Sequence, residues 1–204
     1  MFDLLPQIID TTLLDIYEFG VMTGNSLCSI METGIRLRKV FGFDSFEGLP
    51  AEFNDKFNSA DWTPGAFNIS KKLNVTKEKA IQMLQQRFDL YHYDVHLIPG
   101  FYQNSLKDEI VSLYDMQPAS FVNVDVDIYT STIECLDFMF RNKLIVPGTI
   151  IRYDDWGGSL MNAPEFCTGE SRAHKEILAK YNIKAECLYK VGSPPHIVAI
   201  WRIL

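Results

Sequence analysis

The chain has 204 residues, 47% of them hydrophobic and 22% charged, which is ordinary globular composition and enough length for one α/β domain with its own core. A formal net charge of −7 opposes association with a polyanion, so nucleic acid is not an expected partner. The N-terminus lacks the basic-then-apolar pattern of a signal peptide and no apolar run reaches the length of a membrane span, so a cytoplasmic protein without membrane contact is expected.

In chain order, Leu13–Phe19 is the first predicted strand, and it runs into Glu18-Phe19-Gly20-Val21-Met22-Thr23-Gly24-Asn25-Ser26. Glycines there allow a tight turn and close approach of backbone to a ligand, and Asn25 and Ser26 open a helix whose first N–H groups can face that ligand. The spacing is G-x-x-x-G rather than G-x-G-x-x-G, and no lysine follows the second glycine, which excludes a P-loop. Leu27, Ile30, Met31 and Ile35 share the apolar face of this helix, and Arg36-Leu37-Arg38-Lys39 reads as a basic end favourable to its dipole. The second strand, Lys39–Asp44, ends in an aspartate placed to accept hydrogen bonds from both hydroxyls of a ribose. NAD and S-adenosylmethionine both carry such a ribose, so Asp44 does not separate them.

The stretch Ala51–Asn74 is polar, aromatic and glycine-containing, and fits neither periodicity. A loop of this length reads as a lid or binding loop, or as a surface excursion pinned by Phe53, Phe57, Trp62 and Phe67. Beyond it, Ile81, Leu84 and Phe88 mark one amphipathic helix and Leu106, Ile110 and Leu113 another, with a strand at Val95–Ile98 between them. Strands at Ser120–Asp125 and Thr149–Asp154 flank a helix that Ser131-Thr132-Ile133-Glu134 is expected to open as a capping box. Ala173, Ile177 and Tyr181 mark the last helix, followed by strands at Ala185–Val191 and Ile197–Ile203.

Strand–helix alternation predicts a doubly wound, mostly parallel seven-stranded sheet. Only Gly192-Ser193-Pro194-Pro195-His196 separates the last two strands, too few residues for a parallel crossover, so that pair must be an antiparallel hairpin. This is the layout of class I methyltransferases, and a dinucleotide dehydrogenase has no need of it. The expected organisation is one Rossmann-like domain over residues 1–204 with a lid at about 51–74. Of the four cysteines, Cys28 and Cys135 fall on helical patterns and Cys187 on a strand, and with Cys167 they read as reduced core thiols.

The fourth strand ends Val124-Asp125-Val126-Asp127 and the fifth Tyr153-Asp154-Asp155-Trp156. In a parallel sheet both ends open on the ligand-binding edge, so neighbouring strands would bring four aspartates together. Such charges raise one another's pKa unless a cation intervenes, and an oxygen-only set without a His/Cys group suits Mg²⁺, Mn²⁺ or Ca²⁺ rather than structural zinc. A single aspartate would read as a cap on a following helix or loop. A glycosidase carboxylate pair is a further reading that leaves Asp44 and the glycine turn without a role.

These residues resemble the macrocin O-methyltransferase family, whose members methylate sugar hydroxyls on macrolide and aminocoumarin antibiotics. The similarity is carried by Tyr17-Glu18-Phe19-Gly20 with Gly24 and Ser26, by Gly42-Phe43-Asp44-Ser45-Phe46-Glu47-Gly48-Leu49-Pro50, and by Pro99-Gly100-Phe101. It continues through Ser105-Leu106, Asp125-x-Asp127-x-Tyr129, Pro147-Gly148, Asp154-Asp155-Trp156 and Glu170-Ser171-Arg172-Ala173. The resemblance implies S-adenosylmethionine as donor and Mg²⁺ or another divalent cation as activator. It implies Asp125, Asp154 and Asp155 as metal ligands, Asp127 as general base, and Glu18, Gly20, Gly24, Ser26, Asp44 and Ser45 at the donor site. Asp125 and Asp127 are both able to reach the metal, so their roles are interchangeable at this point. A small-molecule hydroxyl acceptor, with a sugar first in view, is the expected partner, and a homodimer is one available assembly. Departures are a short segment before the first strand, Arg152 at an otherwise apolar strand position, and Thr149 in place of the second glycine of Pro-Gly-Gly. A catechol or vicinal-diol methyltransferase and a donor-binding module without chemistry are the competing readings. His174 and His196 are expected to be structural.

Overall fold

The computed structural model describes residues 2–10, 12, 15–54, 62–157, 164–193 and 196–204. A 3-10 turn at Phe2–Leu4 and helix α1 (Leu5–Ile8) precede β1 (Asp15–Phe19), α2 (Asn25–Glu32) and β2 (Val40–Asp44). Helices α3 (Ile69–Leu73) and α4 (Lys77–Phe88) lead to β3 (Val95–Pro99), and α5 (Tyr102–Ser105) and α6 (Glu109–Leu113) lead to β4 (Ala119–Val124). Helix α7 (Tyr129–Arg141) then connects to β5 (Ile150–Tyr153), and α8 (Gly169–Tyr181) to β6 (Ala185–Ser193) and β7 (His196–Ile203). Each predicted strand is present within a residue or two, except that Leu13 and Leu14 lie outside the described residues.

The strand order is β3-β2-β1-β4-β5-β7-β6. Strands β1 to β5 run parallel, and β7 is antiparallel to both β5 and β6, so the short last connection forms the expected hairpin. The chain leaves β1 toward β2 and returns to its other side with β4. The sheet's switch point, where a crevice opens, therefore lies between the C-terminal ends of β1 and β4.

Strand residues alternate between two cores. Tyr17, Phe19, Phe41, Phe43, Val122, Val124, Ile151 and Tyr153 pack with Leu136, Phe138 and Met139 of α7 and Ile177 of α8. Ile16, Val40, Phe121, Ile150 and Ile200 face Leu27, Ile30 and Met31 of α2, Leu84 and Phe88 of α4, and Leu5 of α1. Parallel register stacks Tyr17 on Phe41 at 5.1 Å and Phe19 on Phe43 at 4.7 Å. Each pair contributes about 0.5–1.5 kcal/mol beyond its buried area.

Several local expectations are corrected. Leu106, Ile110 and Leu113 do not share one helix. The chain breaks between α5 and α6, and Leu113 is 73% exposed. Helix α2 ends at Glu32, so the basic run does not serve its dipole. Arg38 instead pairs with the buried Asp15 at 2.6 Å and with Asp115 at 2.8 Å. Helix α7 starts at Tyr129, which puts Ser131 inside the first turn with no capping bond from its own segment. The Glu52 carboxylate caps it from outside, accepting from the Thr130 amide and the Thr130 hydroxyl, each at 2.7 Å. Cys28 and Cys135 are buried, whereas Cys167 and Cys187 are exposed and so are not core thiols. Among the described residues no helix is long and apolar enough to cross a membrane.

Gly20 holds the two central strand ends together. Its φ is +91°, and a Cβ there would lie 1.7 Å from the Asp125 carbonyl oxygen. Gly20→Ala is expected to cost at least about 3 kcal/mol of stability through strain and backbone collision, read as a lower urea midpoint. A midpoint equal to wild type would show that the strand ends are not tightly apposed.

Candidate active site

A cavity of about 860 Å³ opens at the switch point. Gly20, Ser26, Asp44 and Ser45 line one part of it, and Asp125, Asp127, Asp154 and Asp155 another. Of the donor-site residues named from the sequence, Glu18 and Gly24 are not among the lining residues. Gly24 has φ +72° at the N-cap of α2, where a Cβ would press on the Phe88 ring at 2.4 Å. Glu18 is fully buried beneath the turn, where its Oε1 accepts from the Ser26 hydroxyl and from Asn123 Nδ2. Burial raises the Glu18 carboxyl to about 7.

Asp44 is fixed by backbone. Its Oδ2 accepts from the Met22 amide at 2.7 Å and its Oδ1 from the Phe46 amide at 2.6 Å. Arg87 braces the same turn, donating to the Thr23 carbonyl at 2.8 Å and to Asn25 Oδ1 at 2.9 Å. Ser45 donates to the Gly48 carbonyl at 2.8 Å, closing the bend into the loop.

Because β4 and β5 are neighbours, their tips deliver their acids to one place. Asp125, Asp154 and Asp155 each offer an oxygen, and these oxygens lie within 4.8 Å of one another. Burial first, then the charge of Asp154, pushes Asp125 well above the ordinary carboxylate range. Burial, then the neighbouring Asp155, raises Asp127 to about 8, and burial with Asp154 raises Asp155. Asp127 sits at φ +63°, a left-handed conformation seldom taken by residues other than glycine, asparagine and aspartate. Hard carboxylate oxygens that repel one another, with Arg152 beside Asp154 offsetting part of the charge, fit a divalent cation in both chemistry and charge.

Glu170 is a support that the sequence marked only as part of a family motif. Buried at the start of α8, it accepts from the Asp155 amide at 3.0 Å and the Val126 amide at 3.4 Å, tying the tips of β4 and β5 together. His174 is buried against Trp156 and Trp201, with Nδ1 2.9 Å from the Tyr153 hydroxyl, and burial lowers its pKa to about 3. His196, expected to be structural, lines the cavity with Nδ1 3.5 Å from Asp155 Oδ1. Sequence periodicity placed it on the last strand without indicating which end of the sheet that strand's start would reach.

The excursion after β2 contributes Leu49, Pro50, Phe53, Asn54, Trp62 and Phe67 to the cavity lining. It is not irregular throughout, since Ile69–Leu73 forms α3, capped by Asn68. Phe57 lies outside the described residues.

The raised carboxyl groups make stability pH-dependent. A folded-state pKa above the unfolded one means that the native state holds extra protons, so this contribution is complete below the unfolded carboxylate range of about 4. It is lost as pH rises through the folded values, about 7 for Glu18 and about 8 for Asp127. Thermal midpoints in EDTA are therefore expected to fall by roughly 5 °C or more between about pH 5 and pH 9, with Mg²⁺ restoring part of the loss at the alkaline end. A flat profile in EDTA would show that these carboxyl groups ionise normally.

The sheet order, the closing hairpin and a crevice at the strand ends give a Rossmann-like fold shared with solved methyltransferases. The Macrocin-O-methyltransferase (TylF) family profile matches residues 7–186, and the chain belongs to that family. The calicheamicin methyltransferase CalS11 superposes with a TM-score of 0.69 at 19% identity, covering 98% of this chain and 76% of that one. The O-methyltransferase NovP gives 0.64 at 22% identity, covering 98% and 74%. A Bacillus cereus O-methyltransferase in complex with SAH gives 0.55 at 18% identity, covering 100% and 78%. At these identities the likeness is one of fold. A curated relative, Protein SEY1 of Lodderomyces elongisporus, is 29% identical over 134 residues, which cover 58% of this chain but only 15% of that protein.

Proposed function

We propose that this chain transfers a methyl group from S-adenosylmethionine to a hydroxyl of a small molecule, a sugar in the first instance, with a divalent cation such as Mg²⁺ at the aspartate cluster. The observation that carries the reading is the meeting, in one cavity, of the glycine turn and Asp44 with the carboxylates of Asp125, Asp154 and Asp155. S-adenosylmethionine would supply the methyl group to a site formed by Gly20, Ser26, Asp44 and Ser45. Asp125, Asp154 and Asp155 would hold the cation, which supplies a Lewis acid that lowers the acceptor hydroxyl's pKa.

The chain's own residues do the rest. Asp127 would take the acceptor hydroxyl's proton while the oxygen–carbon bond forms and the donor's carbon–sulfur bond breaks, releasing S-adenosylhomocysteine. Asp44, held by two backbone amides, fixes the ribose, and the rigid strand ends keep donor and acceptor in line. Trp62, buried at the cavity wall, excludes water from that side. The aromatic lining of Phe53, Trp62 and Phe67 also favours a second reading, a catechol or other vicinal diol as acceptor.

Calorimetry with S-adenosylhomocysteine and with NAD tests the donor. Binding of the first alone is expected, and binding of NAD in its place overturns the reading. Turnover on a panel of sugars and vicinal diols then separates the acceptor classes. Donor binding with no turnover on any of them would return the chain to a donor-binding module without chemistry.

A further inference from the structure

Position 152 on a strand covered on both faces calls for an apolar side chain, yet it holds an arginine that is 8% exposed. The register explains where its charge goes. Glu18 of β1 pairs with Asn123 of β4, and Asn123 with Arg152 of β5, so the three side chains form a row on one face of the sheet. Arg152 Nη1 donates to Asn123 Oδ1 at 2.7 Å, and Asn123 Nδ2 donates to Glu18 Oε1 at 3.0 Å. Glu18 Oε1 also accepts from the Ser26 hydroxyl. At the other end of the row, Arg152 Nη2 pairs with Asp154 Oδ1. The guanidinium lies 5.0 Å over the Phe2 ring and lines the cavity, and its Nε has no partner among the described residues. A continuous polar line thus joins the start of the donor-side helix to one of the three clustered carboxylates.

A buried guanidinium is costly unless it is paired, and this one is bonded to the Asn123 amide oxygen and ion-paired with Asp154, with Glu18 one hydrogen bond further along. It brings a fixed positive charge to the edge of an anionic cluster. We propose that Arg152 is a positioning residue that serves as a built-in counter-cation: it orients the Asp154 carboxylate and holds down the cluster's affinity for a divalent cation. Asp154 retains one oxygen outside the ion pair, while the repulsion between a fixed guanidinium and an incoming divalent charge opposes binding. The proposal rests on the metal reading given above, and its test separates the two.

The test is Mn²⁺ binding to the full chain, followed by electron paramagnetic resonance, for wild type, Arg152→Gln and Arg152→Lys. Removing a unit charge at salt-bridge distance is expected to tighten Mn²⁺ binding in Arg152→Gln by roughly tenfold or more, while Arg152→Lys stays near wild type. If removal of the buried charge prevents Arg152→Gln from folding, the pair Glu18→Gln with Arg152→Met carries an expectation of the same direction but smaller size, because the Glu18 carboxyl removed with it also acts on Asp125. Wild type that binds Mn²⁺ while the neutral variants bind equally or more weakly overturns the counter-cation role and leaves the metal site standing. Absence of Mn²⁺ binding in every form removes the metal reading itself, and the proposal with it.

Discussion

Asp154→Ala is expected to lower methyl transfer by roughly 10³-fold, equivalent to about 4 kcal/mol of transition-state stabilisation. Two effects act together. The variant removes one of three carboxylates that converge within 4.8 Å, and it releases Arg152, whose positive charge is then unopposed beside Asp125 and Asp155. Excess Mg²⁺ does not restore the rate, because the lost ligand is part of the chain. Wild type treated with EDTA shows the same loss, and there Mg²⁺ does restore it. The measurement is S-adenosylhomocysteine release with sugar and vicinal-diol acceptors, and undiminished turnover in EDTA would reject the metal role.

Asp127→Asn is expected to reduce kcat by about 10²–10⁴-fold, the span of general-base contributions, with little change in affinity for S-adenosylhomocysteine. Asparagine accepts the φ of +63° at this position as readily as aspartate, so the fold should survive the substitution. The pH profile is the sharper readout. Burial and Asp155 raise the Asp127 carboxyl to about 8, so the wild-type rate rises with pH as that proton leaves. Cation binding neutralises neighbouring charge and moves the midpoint below that value. The variant's profile should lose the rise. A variant that keeps both wild-type kcat and its pH dependence would assign the base elsewhere, with His196, whose Nδ1 lies 3.5 Å from Asp155 Oδ1 at the cavity wall, the next candidate.

The parts of the molecule legible in the sequence are those fixed by short-range geometry. The hairpin followed from the count of residues between two apolar strands, and the meeting of Asp125 with Asp154 followed from parallel strands ending on one edge. What remained hidden depended on partners distant in the chain. Ser131 and Glu134 fit a capping pattern, but Glu52, 78 residues upstream of Thr130, supplies the cap. Glu18 stands at the donor site in the family motif, yet its carboxylate is buried beneath the turn, bonded to Ser26 and Asn123, and does not line the cavity. Leu113 keeps helical spacing with Ile110, yet it lies on a short helix with its side chain in solvent. Glu170 stood in a motif, but its use of two main-chain amides from two strand tips is a tertiary fact.

The bond between Glu52 and Thr130 has a practical consequence for altering what the enzyme accepts. Exchanging the loop after β2 for one of another length or sequence would also strip the first turn of α7 of its counter-charge, one turn from Asp127. Chimeras that keep a carboxylate at this position should retain turnover while changing acceptor choice. Those that drop it should lose rate whatever pocket the new loop builds.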